Sequence, residues 1–237
     1  DQFDPAGVRF VVQGVGPPTD VTDSLAGGTV GGLLQFRRQM LDPARNAIGQ
    51  TAATVAALVN GQQAAGLDLQ GQQGTALFAV GGVNALVSSR NLGSATAAVT
   101  RSNSGALTTA DYQLLYDGAN WTMTRADTGA AITLTGSGTN ASPFLGDGLS
   151  IIVSGTPQAG DRILIQPTRS VIAGMSVLQT QPEKIAAAAP LLTSAATGNT
   201  GNGAIDAGLL TGTTPWVRGD YTLRFTTATN WQVTDAS

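Results

Sequence analysis

The sequence predicts an α+β protein, in which a long heptad-patterned helix forms a stem and small antiparallel β units of sandwich or barrel type follow, the second of them incomplete. Apolar residues recur at helical spacing over residues 31–61, and from Leu77 onward the spacing changes toward the alternation of β-strands. A β phrase that starts at Asp111 returns at Asp220, which indicates an internal duplication. The predicted regions are a helical stem with a short leading strand at 1–75, a first β domain with a return segment at 76–190, and a linker with the start of a second, duplicated β domain at 191–237.

The stem opens with a glycine-bounded β run at residues 7–14, which predicts one short strand. The helix predicted after it carries an apolar residue at every seventh position, the spacing of a coiled-coil seam. Because a long helix gains most of its stability by burying its apolar stripe, we expect other helices to contact this seam. The seam residues are Leu34, Leu41, Ile48 and Val55.

Two features limit the predicted helix. An interior proline removes a backbone hydrogen bond, so Pro43 predicts a kink or a restart near Leu41. Asn60 and Gly61 form the expected C-terminal stop. The only other helix-compatible stretch, residues 170–190, is interrupted by a proline, and we therefore expect the partner helices to lie outside this sequence.

Strand-type alternation is clearest in the first β domain. Tyr112 and Leu114 lie on one face of a predicted strand, and the pair Asp117 and Gly118 predicts a hairpin turn into a second strand that contains Trp121. Further strands are predicted at residues 131–135, 149–155 and 161–167, with the turn 155–160 joining the last two. This spacing is typical of a small sandwich or barrel.

The second β phrase repeats the first in residue type and phase, with one extra turn residue. Residues 220–225 repeat 111–116, and residues 230–234 repeat 120–124. Because the second copy is shorter than the first unit, we expect the chain to be a fragment. The aromatic side chains predicted to anchor the cores of the two units are Tyr112, Trp121, Tyr221 and Trp231.

The composition excludes several classes of function. The chain has no cysteine and no histidine, so it has neither thiolate nor imidazole to bind a metal or to activate a nucleophile. A net charge of -3 argues against a nucleic-acid partner, and no apolar run reaches the roughly 18 residues of a membrane-spanning helix. We expect no catalytic residue, no cofactor, no metal site and no membrane insertion.

Four carboxylates surround the first β unit, and a glycosidase or a calcium site would need such groups to converge. Each stands beside Gly, Thr or Ala in a turn-like context, so we interpret them as surface turns. They are Asp117, Asp127, Asp147 and Asp161.

Several stretches together resemble the flagellar hook-associated protein 1 family. Residues 27–80, which begin GGTVGGLLQFRRQMLDPARNAIGQ, resemble its helical signature. The segments LTTADYQLLYDGANWTMTR (107–125), GLSIIVSGTPQAGDRILIQP (148–167) and SVIAGMSVLQTQPEKIAAAA (170–189) resemble the β domain that follows it. The resemblance implies a non-enzymatic structural adaptor at the junction between hook and filament, exported unfolded and assembled outside the cell in the bacterial flagellum.

The resemblance also implies the partners. These are other copies of the chain in a ring, the hook protein, the next hook-associated protein, and an export chaperone bound through a terminal region outside this sequence. From the residues alone an alternative stays open, a secreted β-repeat adhesin or carbohydrate-binding module that would use exposed tryptophans.

Overall fold

A computed structural model describes residues 2, 3, 10–14, 16, 19–21, 24, 25, 27–206, 219–227 and 229–235. Within these, strand β1 (Val11–Val12) pairs antiparallel with strand β2 (Thr19–Asp20). The predicted leading strand over residues 7–14 is therefore represented by a two-residue strand, and residues 7–9 lie outside the described residues.

The stem is one helical run with an irregular turn inside it. Helix α1 (Gly28–Phe36) leads into a π-helical turn (Arg37–Leu41), and helix α2 (Asp42–Ala64) follows without a break. A proline ring clashes with the carbonyl group four residues earlier, here that of Gln39, which lies in the wider π turn. The helix thus does not restart near Leu41, and the irregularity predicted there is a change of winding.

The predicted C-terminal stop of the helix is wrong. Gly61 lies inside α2, and the helix continues to Ala64. The Asn60 side chain binds the backbone of the segment that follows the helix. Its oxygen accepts hydrogen bonds from the N–H groups of Leu77 and Phe78 at 2.8 and 2.9 Å, and its NH2 group donates to the Phe78 carbonyl at 2.8 Å. The side chain therefore attaches the next segment to the helix instead of ending the helix.

Two antiparallel sheets of three or more strands follow the stem, which confirms the α+β class. The five-stranded sheet has the order β4 (Asn84–Val87), β11 (Arg162–Gln166), β6 (Tyr112–Tyr116), β7 (Trp121–Arg125) and β8 (Ala131–Ile132). The three-stranded sheet has the order β5 (Thr96–Arg101), β10 (Leu149–Ser154) and β9 (Phe144–Gly146). Buried side chains from both sheets form one cluster, so the two sheets enclose a common core. Its fully buried members include Tyr112, Leu114, Met123, Leu149, Ile151, Ile163 and Ile165.

The turn 155–160 does not form a hairpin, because β10 and β11 belong to different sheets. The chain passes from one sheet to the other at this turn. Asp161 holds the turn in place: it is 1% exposed and accepts hydrogen bonds from the backbone N–H groups of Leu92, Gly93 and Gln158 at 2.9 to 3.2 Å. The hydrogen bond from Gln158, supported by those from Gly93 and Leu92, lowers the pKa of Asp161 against the opposing effect of burial. The interpretation of Asp161 as a surface-turn residue is therefore wrong.

Residues 170–190 contain no α-helix, although their composition is compatible with one. Strand β12 (Ser176–Val177) pairs with strand β3 (Phe78–Ala79), and a 3-10 turn occupies Pro182–Lys184. The end of this segment packs on α2, where the Gln63 amide donates to the Lys184 carbonyl at 2.7 Å and accepts the Ala186 N–H at 3.1 Å. Backbone groups used in these contacts are not available to a helix ladder.

The repeated phrase forms a second hairpin, β13 (Tyr221–Phe225) and β14 (Trp231–Asp235). In the first unit Tyr112 is fully buried, and Trp121 is half-buried with its ring 5.1 Å from that of Tyr116. In the second unit Tyr221 and Trp231 are 52% and 58% exposed. These two side chains are not core anchors in the described structure, because a two-stranded ribbon has no second layer to enclose them.

Candidate assembly surface and helix joint

Helix α2 presents two different sides, one packed on the β domain and one exposed. We call the packed side the docking face. Its residues are small or carry an amide, and they follow one another at steps of three and four, so they form a stripe along the helix. The docking face consists of Asn46, Gly49, Ala53, Ala56, Asn60 and Gln63.

The closest approach between the helix and the β domain occurs at Gly49. A β-carbon placed on Gly49 would lie 2.1 Å from the carbonyl oxygen of Thr168, far inside van der Waals contact. Thr168 follows strand β11 and is itself fully buried. Glycine is therefore required here by close approach of two backbones.

Amide side chains bind main-chain carbonyls of the segment that leads into β6. The Asn46 amide donates to the Thr109 carbonyl at 3.0 Å, and the Gln50 amide donates to the Leu107 carbonyl at 2.5 Å. Both acceptors lie in a loop, where the carbonyl groups have no strand partner to satisfy them. The helix thus supplies hydrogen bonds that hold this loop against it.

A charged cluster completes the joint. Arg169 contacts Asp111 at 2.6 Å on the β domain and Asp42 at 3.3 Å on the helix, and the Asn46 amide also donates to Asp111 at 3.0 Å. Burial raises the pKa of Asp111, while Arg169 and the Asn46 hydrogen bond oppose that rise. The cluster links helix and β domain through groups that are all partly withdrawn from water.

The predicted seam lies on the other side of the helix. Leu41, Ile48 and Val55 are 39%, 59% and 47% exposed, and Leu34 is half-buried. Large apolar side chains beside the seam are exposed as well, so exposed apolar side chains recur along this side of the helix. They are Leu33, Phe36, Met40 and Leu58.

The four carboxylates do not converge into one site. Asp117 and Asp127 lie in exposed turns, where the Asp117 carboxylate accepts the N–H groups of Ala119 and Asn120. Asp147 is half-buried, with a positive φ of 45°, and accepts hydrogen bonds from Tyr112 at 2.9 Å and Arg125 at 3.0 Å. Burial raises the pKa of that tyrosine to about 12. The interpretation of Asp147 as a plain surface turn was incomplete, because it also supports the core.

The described residues hold no cluster of three or more acidic, histidine or cysteine side chains arranged for a metal ion. Among the same residues, no helix combines the length and the apolar character needed to cross a membrane.

A cleft of about 350 Å³ lies between α2 and the β domain along part of the docking face, where its lining includes Ala56, Val83 and Val99. Its one charged lining group, Arg101, donates to the carbonyls of Pro167 and Gly81, and burial lowers the pKa of this guanidinium. The arginine is therefore used in holding the backbone together, and we place no ligand in the cleft.

Comparison with known families gives two matches along the chain. Residues 1–78 match the model described as the flagellar hook-associated protein FlgK helical domain. Residues 86–167 match the model described as the flagellar hook-associated protein 1, D2-like domain. The first match ends at Phe78, the first residue of β3, and the second covers the strands from β5 to β11.

Curated relatives agree with these matches. The chain is 35% identical over 161 residues to flagellar hook-associated protein 1 of Escherichia coli K12, a match that covers 68% of this chain and 29% of the relative. It is 34% identical over 164 residues to the protein of the same name from Salmonella typhimurium, with the same two coverages. The chain thus spans less than a third of the length of the relatives that it matches.

A solved structure supports the same relation. The flagellar hook junction protein FlgK from Burkholderia pseudomallei superposes with a TM-score of 0.67 at 39% sequence identity. The superposition covers 73% of this chain and 31% of that protein. The sequence similarity to the curated relatives and the fold similarity to this structure therefore indicate the same family.

Proposed function

The chain belongs to the flagellar hook-associated protein 1 family, and from that membership we propose that it is part of a structural adaptor at the junction between flagellar hook and filament. In this proposal the helix supplies contacts to other helices of the assembly, and the β domain projects from it. The protein acts outside the cell, as a component of the bacterial flagellum. Its function is mechanical attachment, and we assign no catalytic residue.

The observation that supports the proposal is that one side of α2 contacts the β domain and the other side is exposed. Its small and amide residues are used within the chain, where they hold the β domain. Its aliphatic side chains, with Ile48 at 59% and Leu58 at 70% exposed, have no such use in the described structure. A helix whose apolar side is left open is suited to packing against further helices.

We propose four partners on the same basis. Other copies of the chain form a ring, the hook protein lies on one side of it, and the next hook-associated protein lies on the other. An export chaperone binds a terminal region of the full-length protein. The names of the relatives support the flagellar setting, and they give no support to the adhesin alternative.

The proposal is tested by placing a charge in the seam. In full-length protein expressed in a strain that lacks it, Leu41→Asp should give cells with hooks and few or no filaments, seen by electron microscopy. In the isolated chain the same change should alter the free energy of unfolding by less than about 0.5 kcal/mol, because Leu41 is exposed there.

The matched control is Thr122→Asp, at an exposed position on the β domain. It should leave filament assembly intact. Normal filaments with Leu41→Asp, or a loss of several kcal/mol in the isolated chain, would contradict the proposal.

A further inference from the structure

Asparagine precedes glycine at two places in the chain, Asn60–Gly61 and Asn202–Gly203. Asparagine is a thermally labile residue, because its side-chain amide can be attacked by the backbone nitrogen of the next residue. Glycine favours this attack, since it has no β-carbon to hinder the approach and leaves the backbone free to turn. The reaction then depends on whether the surrounding structure lets the two groups meet.

The structure holds both groups of the first dipeptide in place. Asn60 and Gly61 lie inside α2, where the Gly61 N–H is directed along the helix axis toward the preceding turn. The half-buried Asn60 side chain is fixed by hydrogen bonds to Leu77 and Phe78, on its oxygen and on its NH2 group. Attack at this site therefore requires the helix to open locally and these hydrogen bonds to break.

The second dipeptide lies in the segment that joins the first β domain to the hairpin β13–β14. Residues 194–206 are all exposed, and residues 202–206 belong to no helix, strand or turn. Gly203 contacts the Phe225 ring, since a β-carbon placed on this glycine would lie 3.3 Å from the ring. The Asn202 side chain is therefore exposed to solvent, on a stretch of backbone that lies outside any regular hydrogen-bond ladder.

We propose that Asn202 is a site of spontaneous covalent modification, with water as the co-reactant, and that Asn60 is protected from the same reaction by its place in the fold. The Gly203 nitrogen loses its proton to solvent base and attacks the side-chain carbonyl carbon of Asn202. The new C–N bond closes a cyclic imide, the bond to the amide nitrogen breaks, and ammonia leaves with a proton. Water then opens the imide at either carbonyl, which gives aspartate or isoaspartate with no change of oxidation state.

Both products change the joining segment. Each places a carboxylate where a neutral amide was, and so adds a negative charge to a chain of net charge -3. Isoaspartate also leads the backbone through the side-chain carbon, which adds a methylene group to the main chain. The change comes directly before Gly203, so it alters the segment at the point where it contacts Phe225 of β13.

The test compares the two dipeptides within one sample of the whole chain. The protein is incubated at mildly alkaline pH, sampled over time and digested at acidic pH, where imide formation is slow, and mass spectrometry measures the modified fraction at each dipeptide. Asn202 should be modified at least about tenfold faster than Asn60, which corresponds to about 1.4 kcal/mol. In concentrated urea the two rates should be similar, because the same dipeptide is then unconstrained at both positions.

The matched variant is Gly203→Ala, whose β-carbon hinders the attacking nitrogen. It should slow modification at Asn202 and leave the rate at Asn60 unchanged. Equal rates at the two dipeptides in the folded chain would overturn the proposal, as would a Gly203→Ala chain that reacts as fast as the parent. A rate at Asn60 that does not rise in urea would contradict the protection assigned to α2.

Discussion

Gly49 allows α2 to approach the β domain because it has no side chain to collide with the Thr168 carbonyl. Glycine inside a helix normally costs stability, roughly 0.5 to 1 kcal/mol relative to alanine. At Gly49 that cost is offset by the contact, whereas at Gly61, in the same helix, nothing lies within 4 Å of a β-carbon. Two glycines of one helix therefore have opposite roles.

This contrast makes a prediction about alanine. Gly49→Ala should lower the free energy of unfolding by about 1 to 3 kcal/mol, the range for overpacked sites. Gly61→Ala should raise the free energy of unfolding by about 0.5 to 1 kcal/mol. Urea denaturation of the two variants and the parent measures both values, and an equal change in both would show that the helix does not lie against Thr168.

Two sets of residues recur along α2 at heptad-like spacing, and the hydrophobic pattern of the sequence predicts only one of them. The aliphatic series through Ile48 was found because periodicity is read from hydrophobicity. The buried series was missed because glycine, alanine, asparagine and glutamine contribute little apolar signal. The sequence signal for this buried face is the spacing, at steps of three and four, of the small and amide residues at positions 46, 49, 53, 56, 60 and 63. A hydrophobic pattern says that a face will be buried somewhere, and it does not say against what.

The strands show a similar limit. The strands β6, β7, β10 and β11 were predicted because bulky side chains alternate in them, as Leu149 and Ile151 do in β10. Strand β5 was missed because its sequence TAAVTR has small and polar residues with no bulky pair. The assignment of β10 and β11 to different sheets depends on Asp161 and its distant hydrogen-bond donors, which no local pattern indicates.

The joint between helix and β domain should depend on pH when its charge is changed. Asn46→Asp places a second carboxylate where an amide now donates to Asp111, so two acceptors face each other. We expect a loss of about 1 to 3 kcal/mol in the free energy of unfolding at pH 7. The loss should be smaller at pH 4, because a proton shared between the two carboxyl groups restores a donor.

The direction of this pH dependence follows from the raised pKa of Asp111. The pKa of Asp111 is already raised by burial, and a neighbouring carboxylate raises it further. A raised folded-state pKa contributes stability below the unfolded value of about 4, and that contribution is lost as the pH rises. The control is Ala47→Asp, which adds the same charge at the next, exposed position and should show little pH dependence. A penalty that grows toward low pH would refute this description of the joint.

Some surfaces of the chain are buried by contacts within the chain, and other surfaces are left exposed. The first β sandwich and its joint to α2 are closed by buried side chains, by Gly49 and by the Arg169 cluster. The seam residues Leu41, Ile48 and Val55 are exposed in the described structure. In an adaptor, closed contacts would keep the β domain at a fixed angle to the helix, and the open seam would carry the assembly.

The absence of cysteine in this chain makes burial of the seam measurable with a single introduced thiol. Ile48→Cys and, as the exposed control, Thr122→Cys are placed in full-length protein without other cysteines. Maleimide labelling is then compared between the unassembled protein and purified flagella. Both thiols should react when unassembled; in flagella the Cys at 48 should be protected at least about tenfold, which corresponds to about 1.4 kcal/mol, while the Cys at 122 still reacts. Equal labelling of the two positions in flagella would contradict the role given to the seam.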